Sequence, residues 1–433
     1  MNLAQIRVKL TNLFQSNLAH DTLWMLFSKL FNVVMQAAYF VIVARLLGKE
    51  NYGSFIVITA TASIIFPFVL LGSEHLLVKN VSTNRETFST YWGNGILLLT
   101  ANGAFFTVAL LLLSPILFPQ DVPWGTMLLI LLADLICLAL LDLGYKALLA
   151  ANMMNKTAQL GILTTCSKLI AALSLAVFFT NPSVTTWGYL YFASSAFMAT
   201  MAILLVNKMV GHPRPVWSEL KSNIVQGLYF SISTSANNIN ANLDKSMLGK
   251  LANVGAAGIY GSAYRFIDVG NVPILALSGA TYTRFFKHGA AGIRGSLGFG
   301  KRLLPILFLY AIASFIGYWL LAPFIPAILG EEYQEAVEAL LWLSPLPAIA
   351  TFQYLAADTL TGSGNQKARS IVQVGAAIIN VLLNIWLIPQ FSWKGAACAT
   401  LISDSLRLVC LWGIVFLLYR QETRQEYYLD QAG

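Results

Sequence analysis

Ionisable side chains are sparse in this chain, yet a few stand where long apolar runs surround them. In "ANLDKSMLGKLANVGAAGIYGSAYRF" (241–266), the pair Asp244 and Lys245 is followed by Arg265, with Asp268 just beyond. A second polar series, Lys29, Asn32, Gln36 and Tyr39, recurs at three- and four-residue spacing and so lies on one helical face. A third does the same with Ser231, Ser235, Asn238, Asn242 and Lys245, flanked by Asn240 and Asp244. Cations and amides on one face can hold an anion, and the acids can hold a proton or a metal cation. Lys29 has no acid three or four residues away on its own helix, which leaves it open to something anionic.

The signatures of enzymes are missing. The four histidines (His20, His75, His212, His288) form no HExxH and no Ser-His-Asp arrangement. No P-loop or GxGxxG follows a strand pattern, so an ATP-driven engine in this chain is not expected. Neither a catalytic residue, a metal site nor a cofactor is expected.

Composition says what must position these groups. Hydrophobic residues make up 57% of the 433 and charged residues only 11%, against about 25% charged in soluble domains. The apolar residues come in blocks of membrane-spanning length, roughly 20 residues for 30 Å of hydrocarbon. About twelve spans are read, near 22–46, 53–76, 93–118, 124–149, 158–180, 187–209, 226–250, 257–283, 302–329, 336–361, 370–389 and 394–418. The expected fold is an all-α polytopic membrane protein.

The net charge of +8 is explained by topology. With the N-terminus inside, eighteen basic residues fall on the cytoplasmic side and five outside (Arg45, Lys49, Lys245, Lys250, Lys394), with the rest inside spans. The positive-inside rule then puts both termini in the cytoplasm, and no nucleic-acid partner is implied. Cys137, Cys166, Cys398 and Cys410 all lie inside spans without CxxC spacing, as small packing residues do. Leu3, Ile6, Leu10, Leu13 and Leu18 share a face with Arg7 and Lys9 off it, so residues 1–20 read as a helix lying on the inner leaflet.

The chain echoes itself. "LLGKENYGSF" (46–55) pairs with "MLGKLANVGAAGIYGSA" (247–263), and each leads into a span interrupted by proline, Pro67 and Pro273. "LAANMMNKTAQ" (149–159) pairs with "LTGSGNQKARS" (360–370). This order predicts an interfacial helix (1–20), a six-helix bundle (21–209), a cytoplasmic linker (210–225), a second six-helix bundle (226–418) and a cytoplasmic tail (419–433). Two parallel bundles around a central cavity would place a substrate near the midplane. Charges inside helices cost roughly 2.5–3.5 kcal/mol each at the centre on insertion scales, so they face partners or water. Arg265 with Asp268, and Asp404 with Arg407, stand at i,i+3 and can neutralise one another; Asp142 and Lys146 stand at i,i+4, and Asp134 can pair with Lys168 across helices.

At this point the chain resembles a family. "YFVIVARLLGKENYGSFIVI" (39–58), "LDKSMLGKLANVGAAGIYGSAYRF" (243–266), "ILGEEYQEAVEALLWLSPLPAI" (328–349) and "NIWLIPQFSWKGAACATLISD" (384–404) are similar to segments of the bacterial oligosaccharide flippases, the Wzx-like polysaccharide exporters. That family shares a superfamily with multidrug exporters and the lipid II flippase. The resemblance implies a two-lobed transporter in the inner membrane that moves undecaprenyl-diphosphate-linked oligosaccharide outward for polysaccharide or O-antigen (lipopolysaccharide) synthesis. It also implies that Asp244, Lys245 and Arg265 belong to the cavity that receives the sugar diphosphate; the polar stripes, read on their own, add Asn32, Gln36, Asn238, Asn242 and Asp268 as further lining of a hydrated cavity. Lys29 matches the family only loosely and rests on the physical argument.

Two other readings stay open: an ion-coupled drug exporter of the same fold, and a membrane-embedded glycosyltransferase or polymerase. The lining leans basic, with Lys29, Lys245 and Arg265 against Asp244 and Asp268, which disfavours cationic drugs; the short loops leave no room for a catalytic domain. Expected partners are the lipid-linked oligosaccharide and membrane lipids. A coupling proton or sodium ion would bind among Asp244, Asp268, Glu74 and Asp134, which the sequence does not rank. The topology has a direct check. Cysteines introduced at Gln120 and Gln334 should react with an impermeant reagent from outside, and cysteines at Arg85 and Gly292 should not; the reverse pattern would invert the topology.

Overall fold

The computed structural model describes residues 17–118 and 122–432, and their side chains apart from 17–30, most of those between 218 and 237, and 425–432. The interfacial helix expected over 1–20 lies almost wholly outside the described residues. Those described form helices and no strand. Nine helices among them are long and apolar enough to cross a membrane, so this is a multi-pass α-helical membrane protein. Large apolar side chains such as Phe105, Leu112, Phe178, Leu309, Leu320 and Trp386 are exposed. In a membrane those side chains meet lipid.

Nine and the twelve read from the sequence differ for identifiable reasons. The first helix, α1 (Asn17–Leu70), is continuous only in name: Gly48 breaks it with φ 68° and ψ 170°. Two further helices, α7 (Trp217–Leu251) and α8 (Val254–Gly289), run 35 and 36 residues. At 1.5 Å per residue each could span a bilayer, but α7 carries Asn237, Asn238, Asn240, Asn242, Asp244, Lys245 and Lys250. Their polarity, not their length, sets α7 and α8 apart from the nine.

The chain divides into two compact units. One holds the described residues up to Leu47 together with Ile58–Asn238, and the other holds Gly48–Val57 together with Ile239 onward. In the first unit, α2 (Ser73–Thr83) packs on α3 (Phe88–Leu112) and α4 (Trp124–Ala150), while α3, α5 (Met154–Phe178) and α6 (Val184–Met209) meet α1 through Asn102, Thr165 and Trp187. Trp92 on α3 is fully buried and donates its indole N–H to Asn207 of α6 at 2.9 Å. The segment expected to act as a linker is fastened here. Val216 exchanges two hydrogen bonds with the Asn94 side chain, and the Arg214 amide donates to the Ser89 carbonyl at 2.8 Å. The turn after α1 is held by α7: Ser231 Oγ donates to the Pro67 carbonyl at 2.8 Å, alongside the Leu71 amide at 3.1 Å, and Asn238 donates to the Ser63 carbonyl, which Pro67 leaves without its usual helical donor.

The second unit is built on α8, α9 (Gly292–Leu321), α10 (Gln334–Leu343), α11 (Leu346–Gly362), α12 (Gln366–Phe391) and α13 (Trp393–Ala432). Glu422 of α13 accepts from the backbone amides of Ile293 and Arg294, satisfying the first turn of α9. The echoed LGK…YGS segments meet in this unit. A Cβ on Gly53 would lie 1.8 Å from the Val254 carbonyl oxygen, and one on Gly258 would lie 2.0 Å from that of Lys49. Only glycine lets these backbones approach, the small-residue packing that lipid-embedded helices use in place of a hydrophobic driving force.

Gly258→Val is therefore expected to destabilise the protein by about 1–3 kcal/mol, the usual cost of overpacking, or by more because the obstacle is backbone. A lower melting temperature and less monodisperse protein in detergent would show it. Gly298→Val, where a Cβ meets nothing within 4 Å, should change little.

Candidate functional site

The turn between α7 and α8 is tight, and Asn253 caps α8 by accepting from the Ala256 amide at 2.8 Å. Two antiparallel helices that leave such a turn place residues equally distant from it side by side. Asp244 stands seven residues before the end of α7 and Tyr260 six after the start of α8, so they meet roughly 10 Å from the turn. Tyr260 donates its hydroxyl to Asp244 Oδ2 at 2.6 Å, and Thr400 of α13 lies 3.2 Å from Tyr260 and 3.5 Å from Asp244. The Lys245 amide donates to Asp244 Oδ1 at 2.7 Å. Only 2% of Asp244 is exposed.

Lys245 is also buried. Its ammonium donates to the Ala241 carbonyl at 2.8 Å and to Asn242 Oδ1 at 3.4 Å, and it stands 4.0 Å from the centre of the Tyr264 ring. A desolvated cation over an aromatic face gains about 2 kcal/mol. Asp244 and Lys245, expected at the mouth of a cavity, are thus engaged with protein groups in the helix pair. Burial leaves no cheaper choice, because a charge removed from water must be repaid by hydrogen bonds and nearby countercharge.

Arg265 and Asp268 behave differently. Both are exposed on α8, and Arg265 reaches the hydroxyl of Tyr52, a buried tyrosine from the Gly48–Val57 segment. Both also act electrostatically on Lys245. Asn242, Asp244, Lys245, Arg265 and Asp268 therefore gather in the second unit. The remaining candidates belong to the first. Asn32 accepts from Thr165 at 2.5 Å, Gln36 is exposed, and Asn238 donates to the Ser63 carbonyl at 2.7 Å. The side chain of Lys29 lies outside the described residues.

Other intramembrane charges have partners. Asp404 and Arg407 pair at 3.1 Å, with Gln353 donating to the Asp404 carbonyl and accepting from Arg407. Asp134, in a π-helical turn of α4, accepts from Tyr191 at 2.6 Å, and the Lys168 ammonium lies 5.2 Å from the Tyr191 ring. The partnership expected between Asp134 and Lys168 thus runs through a tyrosine. The four cysteines are free. Among the described residues no group of three or more His, Cys, Asp or Glu could hold a metal ion.

Sequence reasoning missed Tyr260, Tyr264, Tyr52 and Thr400. The spacing in "YGSAYR" held part of the signal, since Tyr260 and Tyr264 are i,i+4 neighbours on one face, facing back toward Asp244 and Lys245.

Residues 18–288 match the family described as Polysaccharide biosynthesis protein, well over half of the chain. The chain belongs to that family. Among solved structures, the chain is similar to the inward-facing conformation of a multidrug resistance MATE family transporter of the MOP superfamily, with a TM-score of 0.74 and 13% identity, covering 90% of this chain and 96% of that one. The lipid II flippase MurJ in an inward closed conformation gives a TM-score of 0.65 at 13% identity, covering 90% and 87%. A MOP superfamily transporter from Pyrococcus furiosus Vc1, whose binding pocket is described as reversed in polarity, gives 0.56 at 14%, covering 92% and 95%. Identity this low shows a shared fold. No curated protein matches the sequence.

The Asp244 network yields a stability test. Tyr260→Phe removes the donor to a buried carboxylate and should cost about 1.5–3 kcal/mol, the range for hydrogen bonds to charged groups. Thermal melting of the purified variant should show the loss. An unchanged melting temperature would mean that Asp244 does not depend on this bond.

Proposed function

We propose that this protein is a flippase that carries undecaprenyl-diphosphate-linked oligosaccharide across the inner membrane, by alternating access, for polysaccharide or O-antigen (lipopolysaccharide) biosynthesis. Both termini are cytoplasmic in this reading. The observation that carries it is Arg265: a guanidinium exposed on a membrane-length helix, beside Tyr52, in a protein of the polysaccharide biosynthesis family. A cation at that depth needs an anion or water. A planar guanidinium fork matches phosphate oxygens as an ammonium cannot. Lys29 joins it in contacting the diphosphate, while Asn32, Gln36, Asn238, Asn242, Lys245 and Asp268 supply polar groups along the path. Asp244 acts by fixing the α7–α8 pair that presents Arg265.

A multidrug exporter is the second reading, favoured by the likeness in fold to the MATE family transporter. Cationic drugs would be drawn to Asp268 and repelled by Arg265, so the two readings respond oppositely to loss of the arginine.

In proteoliposomes, Arg265→Lys should slow oligosaccharide flipping, and Arg265→Ala should slow it by tenfold or more, the equivalent of about 1.4 kcal/mol. The control is Arg265→Ala/Asp268→Ala. If the arginine only neutralises Asp268, the double variant regains flipping at equal protein level, and the substrate-binding role is wrong. Faster dye transport in Arg265→Ala would favour the exporter.

A further inference from the structure

Four acids are buried among the described residues: Glu74, Asp134, Asp244 and Asp358. Three have their charge answered. Asp134 has Tyr191, Asp244 has Tyr260, and Asp358 accepts from Ser278 at 2.7 Å with Arg369 at 4.0 Å. Glu74 has no hydroxyl donor from another helix; a backbone amide and the more distant Lys146 charge are what favour its ionised form. It is 8% exposed, its Oε2 is sealed from solvent without a hydrogen-bond partner, and the adjacent Ser73 Oγ is equally unpartnered. Its other oxygen lies 3.5 Å from His75 Nε2.

We propose that Glu74, together with Asp142 and Lys146, forms a proton-binding site in the first unit, separate from the Asp244 network. Helix α2 packs on α4, which brings Asp142 and Lys146 within electrostatic range of Glu74 and His75. Among the described residues the other elements against α2 add little charge here, and Glu86 in the turn before α3 is exposed. Over α3 the only titratable group is Tyr91, and Arg85 turns away to donate to the Ala151 carbonyl at 2.9 Å. On α4, Tyr145 is engaged with Thr164 at 2.8 Å. With both carboxyls ionised, Lys146 protonated and His75 neutral, the cluster carries one net negative charge. One proton on a Glu74 oxygen brings it to zero, the state a low-dielectric site favours. The first-turn position of Glu74 on α2 and the Lys146 ammonium favour the ionised form. Burial and Asp142 oppose it. These influences act in opposite directions on one carboxyl.

A proton fits better than sodium. Sodium needs several oxygen ligands around it, and Glu74 Oε2 makes no hydrogen bond to protein. The site also adjoins a break in the backbone. Leu71 and Gly72 have φ of 47° and 66°, and a Cβ on Gly72 would lie 2.6 Å from the Gly227 carbonyl oxygen of α7. Proton binding at the first turn of α2 acts on the strained joint that α7 covers. A coupling role in transport rests on the flippase reading; the proton site itself does not.

The test uses the full-length protein in lipid nanodiscs, without substrate or gradient, and follows the carboxylic acid carbonyl band by infrared spectroscopy through a pH titration. Glu74→Gln should remove one titrating carboxylic acid. Asp142→Asn should weaken the same band at a given pH, because Glu74 and Lys146 then neutralise each other without a proton. A Glu74→Gln spectrum identical to the parent at every pH would overturn the proposal, as would an Asp142→Asn protein that keeps the full band. Replacing choline chloride with sodium chloride at fixed pH should leave the band in place. Its loss would assign the site to a metal cation instead. If Glu74→Gln fails to purify as a monodisperse species, Asp142→Asn decides alone. In proteoliposomes, Glu74→Gln should abolish stimulation of flipping by a proton gradient while gradient-free flipping persists.

Discussion

A charged side chain carried into a membrane must find a countercharge, a hydrogen-bond partner or water, because hydrocarbon supplies none of them. That constraint organises this protein more than any apolar contact does. Apolar side chains gain little by leaving lipid for a helix interface, whereas three of the four buried acids among the described residues each fix particular helices as neighbours. Asp134 joins α4 to α6 through Tyr191, Asp244 joins α7 to α8 and α13 through Tyr260 and Thr400, and Asp358 joins α11 to α8 and α12 through Ser278 and Arg369. In each case the carboxylate has a hydroxyl donor from another helix. Such bonds specify which helices are neighbours and in what register.

The same constraint separates charges engaged by protein groups from charges left exposed. Lys245 stands in the most polar stretch of the sequence and reads there as a ligand-binding cation, yet its ammonium is held by a carbonyl, an amide and a tyrosine ring. Arg265 remains exposed. The difference lies in helix geometry. Lys245 points into the α7–α8 seam, while Arg265 stands beside Tyr264 on a different side of α8, toward the Tyr52 hydroxyl. In the flippase reading the exposed Arg265 meets the diphosphate directly, while the Asp244–Tyr260 bond holds the helix pair that presents it.

Much of the architecture was legible in the sequence because hydrocarbon imposes a length and a polarity that can be read off directly. Ten of the twelve expected spans are strongly apolar; α7 and α8 are the polar pair, and their residues are the ones that chemistry singled out. The LGK…YGS echo was legible as repetition, but its physical meaning was not. Only the geometry shows that Gly53 and Gly258 permit backbone contact between the two copies. The tyrosines were harder to find. Tyr260 lies sixteen residues from Asp244, and nothing in the sequence fixes the turn at 252–253 that brings them level. Glu74 stood among four unranked acids until the partners of the other buried acids were known, because an unsatisfied atom is a property of packing and leaves no trace in spacing.

The central claim is that this membrane protein moves a lipid-linked sugar diphosphate. The most direct measurement reconstitutes the purified protein into liposomes with a fluorescent polyprenyl-diphosphate oligosaccharide and follows its exposure on the opposite leaflet with an impermeant sugar-specific reagent. The account predicts exposure well above that of protein-free liposomes, with the polyprenyl alcohol that lacks the diphosphate failing to compete. Exposure no greater than in empty liposomes, under both proton and sodium gradients, would contradict it.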